Sequence, residues 1–199
     1  MSKRAITDHE IHELIATRWS PYGFQDRAVP VDDLRALLEA ARWAPSSYNE
    51  QPWSFIVATR EDADAHARAL SCLVEANQAW ARAVPVLLLC CTSLQFRRTG
   101  KPNGVALHDL GLAAANLSLE ATSRGLAVHQ MAGILPGRIR ELYAVPAGVQ
   151  PVTAIAVGYA AAPETLPETL GQRDTAPRGR RPLADFVFGA KWGESSPLV

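Results

Sequence analysis

The chain has 199 residues, of which 48% are hydrophobic and 20% are charged, a composition typical of a globular domain with a sizeable core rather than of a disordered protein. Twenty basic and twenty acidic residues cancel, which argues against a general nucleic-acid binder. The longest apolar run, AVPVLLLCC, is too short to span a bilayer, and the N-terminus has no apolar stretch of the signal-peptide kind. Three cysteines make no disulfide framework. We therefore expect a cytoplasmic protein with no membrane partner.

The N-terminal part of the sequence predicts two helices. A capping box formed by Thr7 and Glu10 predicts the start of the first helix. The apolar side chains that this helix would bury are Ile11, Leu14 and Ile15. Leucines at helical spacing predict a second helix over residues 32–43, and Pro45 stops it because the residue before a proline leaves the α region.

A polar loop and two strands follow the second helix. The stretch WAPSSYNEQPW, residues 43–53, holds hydroxyl and amide side chains between aromatic residues, so it either binds a ligand or only turns the chain. WSFIVATR predicts a strand, and residues 61–82 show a looser helical pattern. PVLLLCCTS predicts a central strand that is apolar on both faces, so helices should cover both sides of the sheet. Residues 93–103 predict a loop that could gate a site.

The second half contains the longest predicted helix, which begins after Asn103 and ends at Gly125. Its predicted buried stripe consists of Leu107, Leu110, Ala114, Leu117 and Ala121. A short strand LAVHQM, a brief helix from Pro136 and a last strand PVTAIAVGY follow. We therefore expect a single domain over residues 1–199 with an α+β fold, in which helices flank a central mixed β-sheet. The proline-rich and charged residues 163–199 lack core periodicity and predict an extended C-terminal arm that wraps the partner subunit.

The sequence carries none of the common catalytic motifs. No G-x-G-x-x-G follows a strand, and TGKP lacks the first glycine of a phosphate loop, which argues against Rossmann and P-loop enzymes. The adjacent cysteines of the central strand point to opposite faces and are better explained as buried, inert thiols than as a redox pair. His9 and His12 share a helix face without a third ligand, so a solvated surface is favoured over a metal site. His108 and Asp109 open the long helix, where structural packing is favoured over acid–base chemistry.

The arginines are more informative than the histidines. Arg18 follows the first helix, and Arg178, Arg180 and Arg181 lie close together in the C-terminal arm. In a neutral chain such a group forms a local cationic clamp, which suits a phosphate because guanidinium groups bind it in bidentate fashion. A solvated basic tail explains the same spacing equally well.

Taken together, these segments resemble the nitroreductase family of FMN-dependent oxidoreductases. The resemblance rests on RWSPYGF, WAPSSYNEQPWSFIVA, ANQAWARAVPVLLL, DLGLAAANLSLEATSRGL, MAGI, PVTAIAVGY and RGRRPLADFVFGAKWG, which occur in the family's order and cover most of the chain. It implies a nitroreductase-like fold, bound FMN, NADH or NADPH as electron donor, and a homodimer.

The resemblance also implies which residues bind the flavin. The Arg18-x-Ser20 pair would contact the phosphate, the ribityl chain and the pyrimidine edge, and the loop after Pro45 would lie over the ring from the neighbouring subunit. The backbone N–H of the Ala132–Gly133 turn would face flavin N5. The residues assigned in this way are Arg18, Trp19, Ser20, Tyr22, Pro45, Ser46, Ser47, Asn49, Gln51, Asn77, Met131, Ala132, Gly133, Arg178 and Arg180.

Two positions depart from the family's pattern. Tyr22 stands where many relatives have a lysine, so the cation near the flavin's N1–O2 edge is either missing or supplied by Arg18. Ala132-Gly133-Ile134 stands where classical members have an acidic residue and then Gly-Phe, which keeps the backbone donor but changes the shape and charge of the pocket. Both changes weaken the case for nitroaromatic reduction as the physiological reaction.

The sequence therefore predicts an enzyme without a catalytic side chain of its own, because the flavin carries the hydride transfer. The expected reaction passes hydride from NADH or NADPH to a small oxidised acceptor, such as a nitroaromatic or a quinone, by a ping-pong mechanism. Another flavin reaction on the same fold is the alternative: dehalogenation, enal reduction or flavin fragmentation. A flavin-binding protein without turnover, and a basic-tailed dimeric module without flavin, remain as alternatives of a different class.

Overall fold

A four-stranded sheet forms the centre of the fold in the computed structural model, which describes residues 3–199. The strands are β1 (Trp53–Thr59), β2 (Val86–Ser93), β3 (Ala127–Met131) and β4 (Val149–Gly158). Their order is β1-β2-β4-β3, and every neighbouring pair is antiparallel. The α+β class is confirmed, but the prediction of a mixed sheet is wrong for these strands. β2 and β3 do run in the same direction, yet β4 lies between them and pairs with both, so no parallel pair forms.

The described residues form seven α-helices around this sheet. They are α1 (Glu13–Thr17), α2 (Val31–Arg42), α3 (Ala63–Leu70), α4 (Glu75–Ala81), α5 (Ala106–Ser123), α6 (Pro136–Tyr143) and α7 (Glu168–Thr175). Within residues 3–199, none of them combines the length and the apolar character that a membrane crossing requires.

The two faces of the sheet carry separate hydrophobic cores. On one face α2 and α5 pack against Leu88 of β2 and Ile155 of β4. On the other face α3, α4 and α6 pack against Leu87 and Leu89 of β2. The prediction that helices cover both sides of the central strand is therefore confirmed. The three cysteines are buried and free, and burial raises the pKa of Cys90 to about 12, so this thiol stays protonated.

The first helix is shorter than the sequence predicts. It begins at Glu13 rather than at the Thr7 capping box, and His12 Nδ1 caps it by accepting from the Leu14 N–H at 3.2 Å. Of the predicted core residues, Ile11 and Ile15 are 37% and 50% exposed. A longer helix would need a buried apolar face, and within residues 3–199 these two side chains stay partly uncovered.

The longest helix follows its prediction except at its N-terminal end. Leu110, Ala114, Leu117 and Ala121 are buried as predicted, and Gly125 ends the helix with a φ of +71°. Leu107, by contrast, is 51% exposed. The exposed residues Leu107, Gly111 and Ala115 are spaced four apart, so they form an apolar stripe on the outer side of α5.

The C-terminal arm, residues 163–199, is less extended than predicted because it contains α7. Asp174, near the end of α7, is 3% exposed and fastens the arm to the body of the chain. Beyond α7 the arm forms a small antiparallel turn in which Phe188 bridges to Ser195. Trp192, at its tip, is 92% exposed. The arm's contact with a partner subunit stays a prediction.

Two histidines bond to backbone carbonyls beside the second core. His66 Nε2 lies 2.8 Å from the Val84 carbonyl oxygen, and His129 Nδ1 lies 2.8 Å from that of Pro21. A carbonyl can only accept, so each of these ring nitrogens carries a hydrogen. Burial lowers the pKa of both imidazoles, outweighing the carbonyl bonds, which favour the charged form. Protonation of either ring therefore destabilises the folded chain.

We predict that the free energy of unfolding falls as the pH is lowered from about 7 to about 5. An unfolded histidine has a pKa of about 6.5 and takes up its proton before the folded rings do, so the stability is complete above that pH and is lost below it. Urea denaturation at fixed protein concentration measures the effect. His66→Gln and His129→Gln should each flatten the pH dependence, and the double variant should flatten it most. Curves parallel to that of the wild type would contradict the prediction.

Candidate functional site

Three arginines gather at the end of α1. Arg18 follows the helix, and its Nη1 lies 3.3 Å from Ser20 Oγ. Burial, and then the charges of Arg178 and Arg180, lower the pKa of Arg18. Burial and the charge of Arg180 likewise lower the pKa of Arg178. Among residues 3–199 no carboxylate forms an ion pair with any of the three. The cluster is therefore a concentration of positive charge that suits an anion.

Backbone contacts hold this arginine cluster in shape. Arg178 Nη1 donates to the carbonyl oxygens of Lys3 at 2.6 Å and Ala16 at 2.9 Å. Asp174 accepts from the Tyr22 N–H at 2.9 Å and the Gly23 N–H at 3.1 Å. These bonds tie the C-terminal arm, which carries Arg178 and Arg180, to the segment that carries Arg18 and Ser20. The two sequence-distant halves of the predicted phosphate clamp are thus brought together.

Tyr22 and Trp19 lie on either side of this segment. The Tyr22 ring contacts Trp80 and His129 edge-on, with centroid separations of 5.3 and 4.7 Å. The Arg173 guanidinium lies 5.1 Å from the centre of the Tyr22 ring, and Lys3 Nζ lies 5.1 Å from that of Trp19. The ring of Tyr22 thus takes part in the packing of the second core, which explains why an aromatic residue can stand at this position.

The turn after β3 is shaped by a glycine. Both the Val74 N–H and Asn77 Nδ2 donate to the Gly133 carbonyl oxygen at 3.0 Å. A Cβ at this position would lie 2.5 Å from Asn77 Nδ2 and 2.7 Å from Val74 Cγ2, so only glycine fits without a shift. Met131 is buried and Ala132 is exposed. Within the described chain the Gly133 N–H has no acceptor, which leaves it free for a ligand.

The polar loop 46–51 is held in a strained shape. Tyr48, Asn49 and Gln51 have φ values of +53°, +54° and +51°, a region that costs about 1–2 kcal/mol for a residue with a Cβ. Ser46 Oγ accepts from the Gln51 N–H at 3.0 Å, and Gln51 Nε2 in turn donates to the Asn49 carbonyl at 3.2 Å. The loop begins after Pro45, which is exposed.

A buried carboxylate supports this loop from α5. Asp109, which is 2% exposed, accepts from the Ser47 N–H at 3.1 Å. Its bond to a backbone amide supports the interpretation of Asp109 as a structural residue. Sequence reasoning missed its partner, because nothing in the local pattern links a helix to a loop 62 residues away.

The predicted site residues thus form three groups in one chain: the arginine cluster with Ser20, the Asn77–Gly133 turn, and the 46–51 loop. No hydrogen bond between described residues joins the loop to either of the other groups. Within residues 3–199, no three His, Cys, Asp or Glu side chains converge as metal ligands would.

Comparisons of the sequence with known proteins identify its family. The model described as "Nitroreductase family" matches residues 15–159. A protein of Methanothermobacter thermautotrophicus named "Putative NADH dehydrogenase/NAD(P)H nitroreductase" is 31% identical over 176 residues, which cover 85% of this chain and 84% of that protein.

Solved structures give the same result. A structure described as an oxidoreductase containing FMN superposes with a TM-score of 0.89 at 32% identity, over 96% of both chains. A nitroreductase family protein of Clostridium difficile 630 superposes with a TM-score of 0.69 at 26% identity, over 92% of this chain and 99% of that one. The predicted nitroreductase-like fold is confirmed, and the chain belongs to the nitroreductase family.

Proposed function

We propose that this chain is an FMN-dependent oxidoreductase that takes hydride from NADH or NADPH and passes it to a small oxidised acceptor by a ping-pong mechanism. The single observation that carries the proposal is the cluster of Arg18, Arg178 and Arg180, which forms no ion pair with a carboxylate within residues 3–199. Mutual repulsion of three guanidinium groups is unfavourable in the free protein, and a phosphate bound among them would remove it. We further propose that the enzyme works in the cytoplasm, where its free thiols stay reduced.

The residues present fit FMN at both of its ends. The arginine cluster and Ser20 would hold the phosphate and the ribityl chain, and the unpaired Gly133 N–H would donate to the ring. When bound, FMN supplies the hydride chemistry, which explains why no nucleophile or general base is needed. The protein's part is to hold donors rigidly where negative charge develops, since fixed donors stabilise it without reorganising. Arg18 is the cation closest to Tyr22 in sequence and would take the place of the lysine that many relatives have there.

We expect Arg178→Ala and Arg180→Ala each to weaken FMN binding by about tenfold to a hundredfold. One lost charge-assisted hydrogen bond corresponds to about 1.5–3 kcal/mol. Fluorescence titration of the flavin-free protein measures the dissociation constant. Lys191→Ala serves as a control, because it removes a cation from the same arm that pairs with Glu194 instead. Wild-type affinity in both arginine variants would show that the cluster does not hold the phosphate.

We expect Gly133→Ala to lower the free energy of unfolding by about 1–3 kcal/mol, because the new methyl group forces Asn77 or Val74 to move. FMN affinity should fall as well, since the donor at the turn shifts. Gly137→Ala is the matched control: it lies in α6 with nothing within 4 Å of an added Cβ, and it should stabilise by up to about 1 kcal/mol. Equal behaviour of the two variants in urea and flavin titrations would refute the role of the turn.

We also propose that the enzyme is a homodimer in which the loop 46–51 of one subunit completes the site of the other. The outer stripe of α5, formed by Leu107, Gly111 and Ala115, is apolar and exposed, and Gly111 has open space where a Cβ would lie. Ile15 of α1 and Trp192 of the C-terminal arm add exposed apolar surface. An obligate interface built from such surfaces buries more than about 2,000 Å².

Gly111→Arg should convert the dimer to monomer, because a long charged side chain would be buried where two helices approach closely. The monomer should also lose FMN, since half of the site is then absent. Analytical ultracentrifugation at micromolar concentration measures the oligomeric state, and the flavin absorbance of the sedimenting species measures the bound FMN. Ser123→Arg places the same charge on an exposed position at the C-terminal end of α5, two helical turns beyond Ala115, and should stay dimeric. A wild-type monomer with bound flavin would overturn the proposal.

A further inference from the structure

A small hairpin follows β2, where the sequence predicts only a loop. In the hairpin, residues 94–102, Gln95 bridges to Pro102, and the Phe96 N–H donates to the Lys101 carbonyl oxygen at 2.9 Å. Gly100, at the tip, has a φ of +66°, which a glycine adopts without strain. The hairpin therefore has a defined shape of its own rather than being an irregular connection.

The hairpin is latched onto the 46–51 loop by a buried carboxylate. Glu50 is 8% exposed, and its Oε1 accepts from the Arg97 N–H at 2.8 Å and from Arg97 Nε at 3.2 Å. Arg97 Nη2 also donates to the Glu50 carbonyl oxygen at 2.7 Å. Three bonds between one pair of residues, with one of the charges buried, fix the two segments relative to each other, because breaking the pair would leave a buried carboxylate without its partner.

This latch places two aromatic rings side by side at the surface. The rings of Tyr48 and Phe96 meet edge to face, with centroids 5.9 Å apart and an interplanar angle of 84°. Tyr48 is 88% exposed and has a left-handed backbone, so neither burial nor local preference accounts for its position. Strain of this kind persists where the surroundings enforce it, and it accumulates at ligand sites.

The hairpin is also strongly cationic. It contains Arg97, Arg98 and Lys101 and no acidic residue. Glu50 neutralises Arg97, whereas Arg98 and Lys101 are exposed and form no ion pair with any residue in the range 3–199. Two free cations therefore lie on the same short hairpin as Phe96, which contacts Tyr48.

We propose that the 94–102 hairpin recognises the electron acceptor: Tyr48 and Phe96 receive a planar ring, and Arg98 and Lys101 select acceptors that carry a carboxylate or a similar anionic group. The inference rests on the proposed function, in which the 46–51 loop lies over the flavin of the partner subunit. Because the bonds between Glu50 and Arg97 join the hairpin to that loop, the hairpin would lie beside the same flavin. Arg98 and Lys101 are specificity-determining residues, and Glu50 is a positioning residue.

The test uses the FMN-loaded dimer with NADH and two matched acceptors, anionic 4-nitrobenzoate and neutral 4-nitrobenzyl alcohol. The readout is the ratio of their kcat/KM values. Arg98→Ala combined with Lys101→Ala should lower this ratio by about threefold to tenfold, since each exposed charge contact contributes up to about fivefold. Arg82→Ala is the control, because Arg82 is exposed and precedes β2, at the opposite end of the strand from the hairpin. It should leave the ratio at the wild-type value.

A second readout does not depend on turnover. Calorimetry on the oxidised, FMN-loaded protein gives the dissociation constants of benzoate and of benzamide, which have the same ring with and without a charge. The double variant should weaken benzoate alone, whereas Phe96→Ala should weaken both. Glu50→Ala should weaken both as well, because two of the three bonds between Glu50 and Arg97 are lost.

The possible outcomes separate this inference from the function on which it rests. An active, FMN-loaded enzyme whose acceptor ratio is the same in the wild type and the double variant overturns the inference alone. A rise in the KM for NADH at an unchanged acceptor ratio would assign the hairpin to the donor and overturn the inference too. A wild-type protein that binds no FMN, or that oxidises neither NADH nor NADPH, would overturn the proposed function together with the inference.

Discussion

The bonds from Asp174 to the backbone amides of Tyr22 and Gly23 are the contact on which the arginine cluster depends. They join segments about 150 residues apart, and the carboxylate that makes them is almost completely buried. Together with the bonds from Arg178 to the Lys3 and Ala16 carbonyl oxygens, this attachment holds the arm beside Arg18 although the cations repel one another. A buried acidic residue thus assembles a group of basic residues without forming an ion pair with any of the three.

If the cluster binds the cofactor as proposed, it would also couple cofactor binding to stability. Arg178 is anchored by two carbonyl oxygens, which accept its hydrogen bonds but leave its positive charge uncompensated. A ligand that binds only the folded state stabilises that state by an amount that rises with the logarithm of its concentration over its dissociation constant. A phosphate group in the cluster would relieve the repulsion as well, so the folded chain and the loaded site support each other.

The sequence predicted what depends on local periodicity and missed what depends on distant partners. The strands, and the stripe from Leu110 to Ala121, were accessible because apolar spacing reports which side of an element is buried. The predicted burial of Ile15 and Leu107 was wrong, because apolar spacing shows that a face is apolar and does not show whether the same chain covers it. The prediction of a mixed sheet was wrong because apolar spacing shows which faces of a strand are buried and does not show in which direction its neighbours run.

The residues that shape the candidate site were mostly beyond local reasoning. Glu50, Asp109 and Asp174 act through backbone amides elsewhere in the fold, and a carboxylate that binds an amide has no sequence signature of its own. The flavin-site assignments came from order and resemblance across the whole chain. Gly133 was assigned in the same way, and the reason why only glycine fits there without a shift, its close approach to Asn77 and Val74, also lies in a distant segment of the chain.

The left-handed backbone of the 46–51 loop has a consequence for how this part of the chain can change. Glycine would occupy the positions of Tyr48, Asn49 and Gln51 without strain. A glycine in place of Tyr48 would, however, remove the aromatic ring, and a glycine at any of the three positions would increase the conformational freedom of the backbone. Replacements that relax the backbone here therefore also loosen the surface that the loop presents. In this short segment, selection for a more stable fold and selection for a rigid binding surface act in opposite directions.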